Sequence, residues 1–192
     1  MFGNESFPAP QLPQEYTKKR KVKPKPTPLP RQIETITQSK AGAEDNNYLI
    51  RLIPKAGGRS KQVHFTIELL ENFFCLTPGD SVLVQEMQAS GIVGELEQRQ
   101  VVFSQRNRNV KIELSGASML DTAYPDNPAT RPVLVVKKVN SNLFVYTILL
   151  DGDDGYAAIN KRLRQIPAGR SLPYEVIDEA TMFLLWSDCP IT

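Results

Sequence analysis

The sequence predicts a mainly β fold, a barrel or sandwich with one or two short helices. Short runs of β-branched and aromatic residues are separated by turn residues, and several runs alternate strictly between apolar and polar positions. Strands do not alternate with long helical segments, which argues against a parallel α/β sheet. The 192 residues suit one domain with a tail.

Residues 1–45 are predicted to form a basic, proline-rich linker or tail, and residues 46–192 the folded domain. Seven of the fifteen prolines lie in the first thirty residues, and seven Lys or Arg but no acidic residue lie between Tyr16 and Ile33. Because proline lacks an amide donor and favours extended geometry before it, Lys23–Pro30 is expected to be a polyproline-like spacer. A plain linker is the favoured interpretation, and an arm over phosphates or a ligand for a proline-recognising module are the alternatives.

The first half of the domain is predicted to hold three strands, a basic loop and a short helix. Thr77–Asp80 is a turn signal, and Gly91 and Gly94 indicate a further reversal. The predicted elements are strand Asn47–Pro54, loop Lys55–Gln62, strand Val63–Ile67, helix Glu68–Phe74 and strand Ser81–Met87.

The second half is predicted to hold two hairpins and a helix. In the first hairpin, apolar residues at every second position mark a half-buried strand. Met182–Trp186 is a short apolar segment that suits either a helix or a strand. The predicted elements are strands Gln100–Ser104 and Val110–Leu114, loop Asp121–Arg131, strands Val133–Val139 and Leu143–Leu150 joined by Asn140–Asn142, and helix Tyr156–Ile166.

Two basic loops on this β scaffold indicate nucleic-acid binding. The tip of the first hairpin carries the side chains that match base edges, since Arg pairs bidentately with guanine and Asn or Gln with adenine. Two projecting loops of this composition could bind one duplex in its major groove. Each loop alone is equally typical of a polar, solvent-exposed turn. The candidate contacts are Gln105, Arg106, Asn107 and Arg108 at the tip, and Lys55, Arg59, Lys61 and Gln62 in the other loop.

A search for catalytic motifs is negative, and the sequence predicts no cofactor and no metal site. His64 is the only histidine, and a structural or solvated role is favoured for it. No nucleophile elbow, phosphate-binding glycine loop or His-x-Lys motif is present, and no Asp or Glu is followed two residues later by Lys. Asp151–Gly155 lacks the distal Glu of a calcium loop and is interpreted as a turn before a helix.

The two cysteines do not suggest a disulfide framework. Cys75 lies in an apolar stretch and is predicted to be a buried free thiol, and Cys189 is far from it in sequence. No apolar run reaches transmembrane length or has the pattern of a signal peptide. The expected location is the cytoplasm, with reduced thiols.

Two short motifs carry a family resemblance. Arg51-Leu52-Ile53-Pro54-Lys55 resembles, with one residue fewer, the Arg-Leu-x-Ile-Pro-Lys motif of plant B-three DNA-binding domains. Leu76–Val82 resembles their Leu-x-x-Gly-Asp-x-Val turn. Residues near 47 to 187 are most similar to the bacterial version of this fold, the C-terminal DNA-recognition domain of NgoFVII-type and BfiI-like type II restriction endonucleases.

The resemblance implies an open β-pseudobarrel that reads double-stranded DNA with two arms, next to a phospholipase D-like nuclease domain or subunit. The arms map onto Lys55–Gln62 and the hairpin tip, and the first arm alternatively lies just before Tyr48. Because the nuclease motif is absent from this chain, whether it cleaves DNA stays open. The alternatives to DNA recognition are a protein-interaction β domain with a proline-rich docking tail, and an OB-like barrel that binds single strands.

Overall fold

A computed structural model describes residues 47–53, 62–105, 108–119, 128–167 and 172–191 of the chain, all within one compact unit. The predicted tail and most of the predicted loop Lys55–Gln62 lie outside these residues. The described residues form nine strands in two sheets and three short helices. The predicted fold class, mainly β and open, is therefore confirmed.

The strands are labelled in chain order. They are β1 Asn47–Leu52, β2 Gln62–Phe65, β3 Ser81–Met87, β4 Val93–Gln100, β5 Val102–Ser104, β6 Asn109–Glu113, β7 Val133–Lys138, β8 Leu143–Leu149 and β9 Tyr174–Asp178. The helices are α1 Ile67–Leu69, which continues as a π-helical turn over Leu70–Phe74, then α2 Tyr156–Gln165 and α3 Glu179–Leu185. Short 3-10 turns cover Ser115–Met119 and Pro128–Thr130.

The larger sheet has the strand order β4-β3-β8-β7-β1-β9, and the smaller sheet has the order β2-β6-β5. Every pairing is antiparallel except β3 with β8, which is parallel. Strand β1 lies between β7 and β9, and residues 48–52 are all buried. A strand with neighbours on both sides and both faces covered has a near-continuous apolar run. Strand β1 follows this pattern from Tyr48 to Leu52, with Arg51 as the one charged residue.

Alternate residues of β1 belong to two separate hydrophobic cores. Leu49 and Ile53 face the smaller sheet and α1, in the core between the two sheets. Tyr48, Ile50 and Leu52 face the opposite way, toward α2 and α3. The larger sheet is therefore a central layer, with the smaller sheet on one side and helices α2 and α3 on the other.

The chain passes from the larger sheet to the smaller one at Val101. This buried residue separates β4 from β5. Its amide donates to the carbonyl of Asp80 at 2.9 Å, and its carbonyl accepts from the amide of Gly79 at 2.9 Å. These bonds fix the corner of the pseudobarrel and therefore the direction in which the β5–β6 hairpin leaves it.

Strand β2 ends earlier than predicted, and the exposure of Cys75, which follows it, also differs from the prediction. Thr66 caps α1 by accepting from the Leu69 amide at 3.1 Å, so the strand ends at Phe65. Cys75 is exposed, not buried as predicted. It ends the π-helical turn with φ of 54°, in the left-handed region, and this turn directs it outward while the flanking Phe74 and Leu76 are buried.

Two elements were not predicted. Strand β4 was missed. The reversal predicted at Gly91 and Gly94 is present as the turn between β3 and β4, where the Gly91 amide donates to the Gln88 carbonyl at 2.8 Å, but Gly94 lies beyond that turn, inside β4 and beside a register shift. A Cβ there would approach the Glu86 Cβ at 3.3 Å. Strand β9 was also missed, and the segment that suited either a helix or a strand is helical, as part of α3.

The other predicted turns are confirmed. Asn140 accepts from the amides of Asn142 and Leu143 at 2.9 and 2.8 Å, which closes the β7–β8 hairpin. Asp153 accepts from the Leu150 amide at 2.7 Å, as expected for a turn. Gly155 precedes α2 with φ of 79°, and a Cβ there would overlap the indole ring of Trp186.

Candidate nucleic-acid interface

The hairpin predicted around the basic tip is present in the smaller sheet. Strands β5 and β6 pair through Val102 with Lys111 and through Ser104 with Asn109. Gln105 and Arg108 therefore lie just beyond the last pair, one after each strand end. A two-stranded ribbon of this kind fits a major groove.

Two of the four predicted contacts at the tip are described, Gln105 and Arg108, and both are exposed. The backbone of Arg108 has φ of 49°, a left-handed conformation that residues other than Gly, Asn and Asp rarely adopt. Arg106 and Asn107 lie outside the described residues. An arginine thus occupies a strained position at the tip, where a glycine would fit at lower cost.

The outer face of the smaller sheet, here called the outer face, carries polar side chains behind the tip. The inner face is buried, with Val63 and Phe65 on β2 and Val110 and Ile112 on β6. Alternation places the intervening residues on the outer face. On β2 and β6 the outer face consists of Gln62, His64, Asn109, Lys111 and Glu113, and the register adds Val102 and Ser104 of β5 to it.

His64 and Asn109 meet on the outer face at the base of the tip. The Asn109 amide nitrogen lies 2.9 Å from Nδ1 of His64. If that nitrogen donates, neutral His64 carries its proton on Nε2. The sequence did not indicate this contact, because the two residues are 45 positions apart and meet only through the β2–β6 register.

Gln62 belongs to β2 and not to the loop in which it was predicted. Its side-chain nitrogen donates to a carboxylate oxygen of Glu113 at 3.2 Å. The register pairs these two residues at the end of the smaller sheet that lies farthest from the tip. Glu113 lies four positions after Asn109 along β6, a distance of about 14 Å of strand.

The other predicted contacts of the first loop, Lys55, Arg59 and Lys61, lie outside the described residues. The predicted loop ends at Gln62, and this residue lies at the end of the smaller sheet opposite the hairpin tip. The structure therefore brings Gln105 and Arg108 together, and it holds Gln62 apart from them.

A polar cluster connects β4 to the 3-10 turn that begins at Ser115. The carboxylate of Glu97 pairs with Arg99 at 2.8 Å and accepts from the Ser115 hydroxyl at 2.6 Å. Burial raises the pKa of the nearby Glu86, and the charge of Glu97 raises it further. Burial likewise raises the pKa of Tyr146 to about 12. In the part of the chain that the structure describes, no three His, Cys, Asp or Glu residues come together as metal ligands.

Comparisons with known proteins support the fold. No family model matches the chain, and no curated protein matches it. The N-terminal domain of Helicobacter pylori LlaJI.R1 has a similar structure, with a TM-score of 0.50 and 11% sequence identity, over 68% of this chain and 97% of that domain. No helix among the described residues is long and apolar enough to cross a membrane. The chain therefore shares its fold with that domain, and at this identity the likeness concerns the fold alone.

Proposed function

We propose that this chain recognises double-stranded DNA sequence-specifically, as the reading part of a type II restriction system. The observation that carries the proposal is the exposed tip of the β5–β6 hairpin, where Gln105 and Arg108 project beyond the last strand pair. Residues 105–108 include two arginines and no acidic residue. The fold shared with LlaJI.R1, whose name is that of a restriction-system protein, supports the same proposal.

The tip reads bases and the outer face behind it contacts phosphates. Arginine and the amide side chains match guanine and adenine edges in the major groove, which is about 12 Å wide. Lys111 lies one residue pair behind Phe103 and Val110, so it would face the backbone when the tip enters the groove. Contacts to phosphate fix orientation and contacts to bases give specificity.

The second arm consists of Lys55, Arg59 and Lys61, with Gln62 at its end. In this proposal these residues hold the phosphates that flank the site. Because Gln62 is bonded to Glu113, its side chain would have to exchange that partner for DNA. Cleavage is assigned to a separate nuclease domain or subunit, as the family resemblance implies, and recognition needs neither a cofactor nor a metal.

Enrichment from a random duplex pool tests the proposal. The chain is mixed with the pool, the shifted band is sequenced, and one short motif should be enriched. Binding of Arg106→Ala and Arg108→Ala to that motif should then be measured. Substitution of the arginine that faces the groove should relax the chain's preference for one G·C base pair of the motif. Lys161→Ala is the matched control, because this exposed lysine lies on α2, on the opposite side of the larger sheet. A bound fraction with no enriched motif would contradict sequence-specific recognition.

A protein-interaction domain is the second candidate, and one observation favours it. Strand β4 is an edge of the larger sheet, and Ile92, Val93 and Leu96 expose more than half of their surface there. Exposed edge strands with apolar side chains are sites where other chains add. Deleting residues 1–40 distinguishes the candidates, since DNA specificity should survive the deletion, whereas docking through a proline-rich tail should not.

A further inference from the structure

Strand β4 forms an open edge of the larger sheet. Among the described strands it pairs only with β3, and Leu96, Gln98 and Gln100 along it are all exposed. The unpaired amide and carbonyl groups of such an edge are able to bond to a further strand. The open edge of β4 is therefore a surface on which another chain can add.

The hydrogen bonds of β3 show which residues of β4 present their backbone to this edge. The Leu83 amide donates to the Asn142 carbonyl at 2.8 Å, on the side of β8. The backbone of Leu83 is therefore turned away from Gln98, its neighbour in β4. Because bonded and non-bonded pairs alternate in an antiparallel ladder, the amide and carbonyl of Gln98 point outward. Those of Leu96 and Gln100, two positions away on either side, point outward as well.

The charges on this edge are complementary to their own copy. When two copies of a strand pair antiparallel about a two-fold axis, one residue lies opposite itself. With Gln98 in that position, Glu97 lies opposite Arg99 of the second copy, and Arg99 lies opposite its Glu97. Opposite charges that face each other across a ladder stabilise the pairing. Within one chain Glu97 and Arg99 already pair at 2.8 Å, so two copies form a closed ring of alternating charges.

Neighbouring registers bring like charges together. A pairing centred on Glu97 or on Arg99 sets that charge against its own copy, and one centred on Leu96 sets Glu95 against Glu97. Like charges directly opposite each other destabilise a ladder. Charged side chains and a register shift, which β4 also has, are features that keep unrelated strands from adding to an edge. The occupant that this edge fits is therefore a second copy of the same strand.

The same pairing covers exposed apolar surface. Leu96 and Val102 are 53% and 52% exposed, and alternation with the buried Val101 directs both away from the core between the two sheets. In the register centred on Gln98, Leu96 lies opposite Gln100 of the second copy and diagonal to its Val102, within reach of a long side chain. The two-fold axis repeats this contact at the other end of the ladder.

We propose that two copies of this chain associate through β4, antiparallel and with Gln98 on the two-fold axis, so that two six-stranded sheets become one continuous sheet. Backbone bonds from Leu96, Gln98 and Gln100 and the ring of charges at Glu97 and Arg99 hold the two copies together. The association goes beyond DNA recognition and does not depend on it, since the residues that carry it lie along β4 and not at the hairpin tip.

Charge exchange tests the pairing. Sedimentation velocity of the full chain, without DNA and over a series of concentrations, should show a reversible equilibrium between monomer and dimer. Glu97→Arg and Arg99→Glu each set like charges against one another across the axis, so each should raise the dissociation constant of its dimer about tenfold or more. Lys161→Glu, which makes the same kind of charge change on α2, should dimerise as the wild type does.

A mixture of the two variants separates contacts between chains from contacts within one chain. Glu97→Arg carries arginine at both positions, and Arg99→Glu carries glutamate at both. In a dimer of one with the other, opposite charges again face each other at both positions. With one variant fluorescently labelled, the mixture should therefore form a heterodimer more tightly than either variant pairs with itself.

A proline substitution tests the backbone contacts and does not change any charge. Proline is tolerated on an edge strand where the amide it replaces faces solvent. Gln98→Pro should therefore unfold at nearly the wild-type temperature under conditions where both are monomeric, and it should stay monomeric where the wild type is dimeric. Arg99→Pro, one residue further along, loses an amide that faces β3 and should be clearly less stable.

Three results would overturn the proposal. The first is a wild-type chain that stays monomeric up to the limit of its solubility. The second is a dimer of Gln98→Pro as tight as that of the wild type, which would place the contact elsewhere on the chain. The third is a mixture of folded Glu97→Arg and Arg99→Glu that forms no heterodimer. Should either charge variant fail to fold, the comparison of Gln98→Pro with the wild type decides. The duplex enrichment has no part in these measurements, so either proposal can fail without the other.

Discussion

Replacing Arg108 with glycine should lower DNA affinity without lowering folding stability. Arg108 has φ of 49°, and the left-handed conformation costs an ordinary L-residue about 1–2 kcal/mol. Glycine removes this cost but loses about 0.5–1 kcal/mol of backbone entropy on folding. Arg108→Gly should therefore leave the free energy of unfolding unchanged or raise it by up to about 1.5 kcal/mol.

The loss in DNA affinity is expected to be larger than this gain. A bidentate contact between arginine and guanine is worth about 1–3 kcal/mol of discrimination. Because 1.4 kcal/mol is a factor of ten, affinity for the enriched site should fall by about 5- to 150-fold. Affinity for random duplex should change much less, since that binding depends on phosphates.

Two measurements on one set of variants check these expectations. Urea unfolding gives the stability, and fluorescence anisotropy with cognate and random duplexes gives the affinities. Arg108→Ala removes the same side chain but keeps a Cβ in the left-handed conformation, so it should be less stable than Arg108→Gly and equally defective in site recognition. Lys161→Ala should change neither measurement appreciably.

The reasoning would be refuted by either of two results. If Arg108→Gly is clearly less stable than wild type, the left-handed conformation is not a source of strain. If cognate and random duplexes weaken by the same factor, Arg108 contributes charge rather than base contacts. Base reading at the tip would then have to come from its neighbours in the loop.

Three further predictions concern charge, acid and packing. Lys61→Ala should weaken cognate and random duplexes about equally and reduce the slope of log affinity against log salt by about 0.9, so an unchanged slope in a salt titration would remove Lys61 from the phosphate contacts. Glu86→Gln should raise the free energy of unfolding at pH 7 but not below about pH 4. Burial, and then the charge of Glu97, raise the pKa of Glu86 in the folded state, so the stability that goes with its protonated form is lost as pH rises through that pKa. Urea unfolding that shows an equal gain at both pH values would contradict this. Gly155→Ala should lower the free energy of unfolding by about 1–3 kcal/mol more than Gly152→Ala does. Both glycines have positive φ, but of the two only Gly155 has other atoms where a Cβ would lie. An equal decrease in the free energy of unfolding for the two variants would contradict the overlap.

Local patterns in the sequence were sufficient for most of the strands that position the candidate site. Alternation in Val110–Leu114 predicted β6 and the hairpin, and the apolar stripe of Tyr156–Ile166 predicted α2. These signals are local, because the side-chain period of a strand or helix is visible within a few residues. The fold class and the exposure of the tip residues Gln105 and Arg108 follow from them.

Elements without a clear one-sided pattern were missed. Strand β4 is an edge strand with polar or exposed residues on both faces, so its sequence shows no alternation. Cys75 lies among buried aromatic residues, yet its left-handed φ directs it outward. In both cases the chain's environment, and not its local apolar content, decides what is exposed.

The sequence by itself determined a mainly β fold with an exposed, basic tip on a short hairpin, because turn residues and alternation act over a few neighbouring positions. Only the tertiary structure decided that His64 contacts Asn109, that Gln62 lies at the far end of the smaller sheet, and that Arg51 is buried between two rings. These contacts join residues distant in sequence and depend on strand order and register. A shift of one residue in a register moves every side chain to the opposite face, so no local pattern can specify which side chains meet.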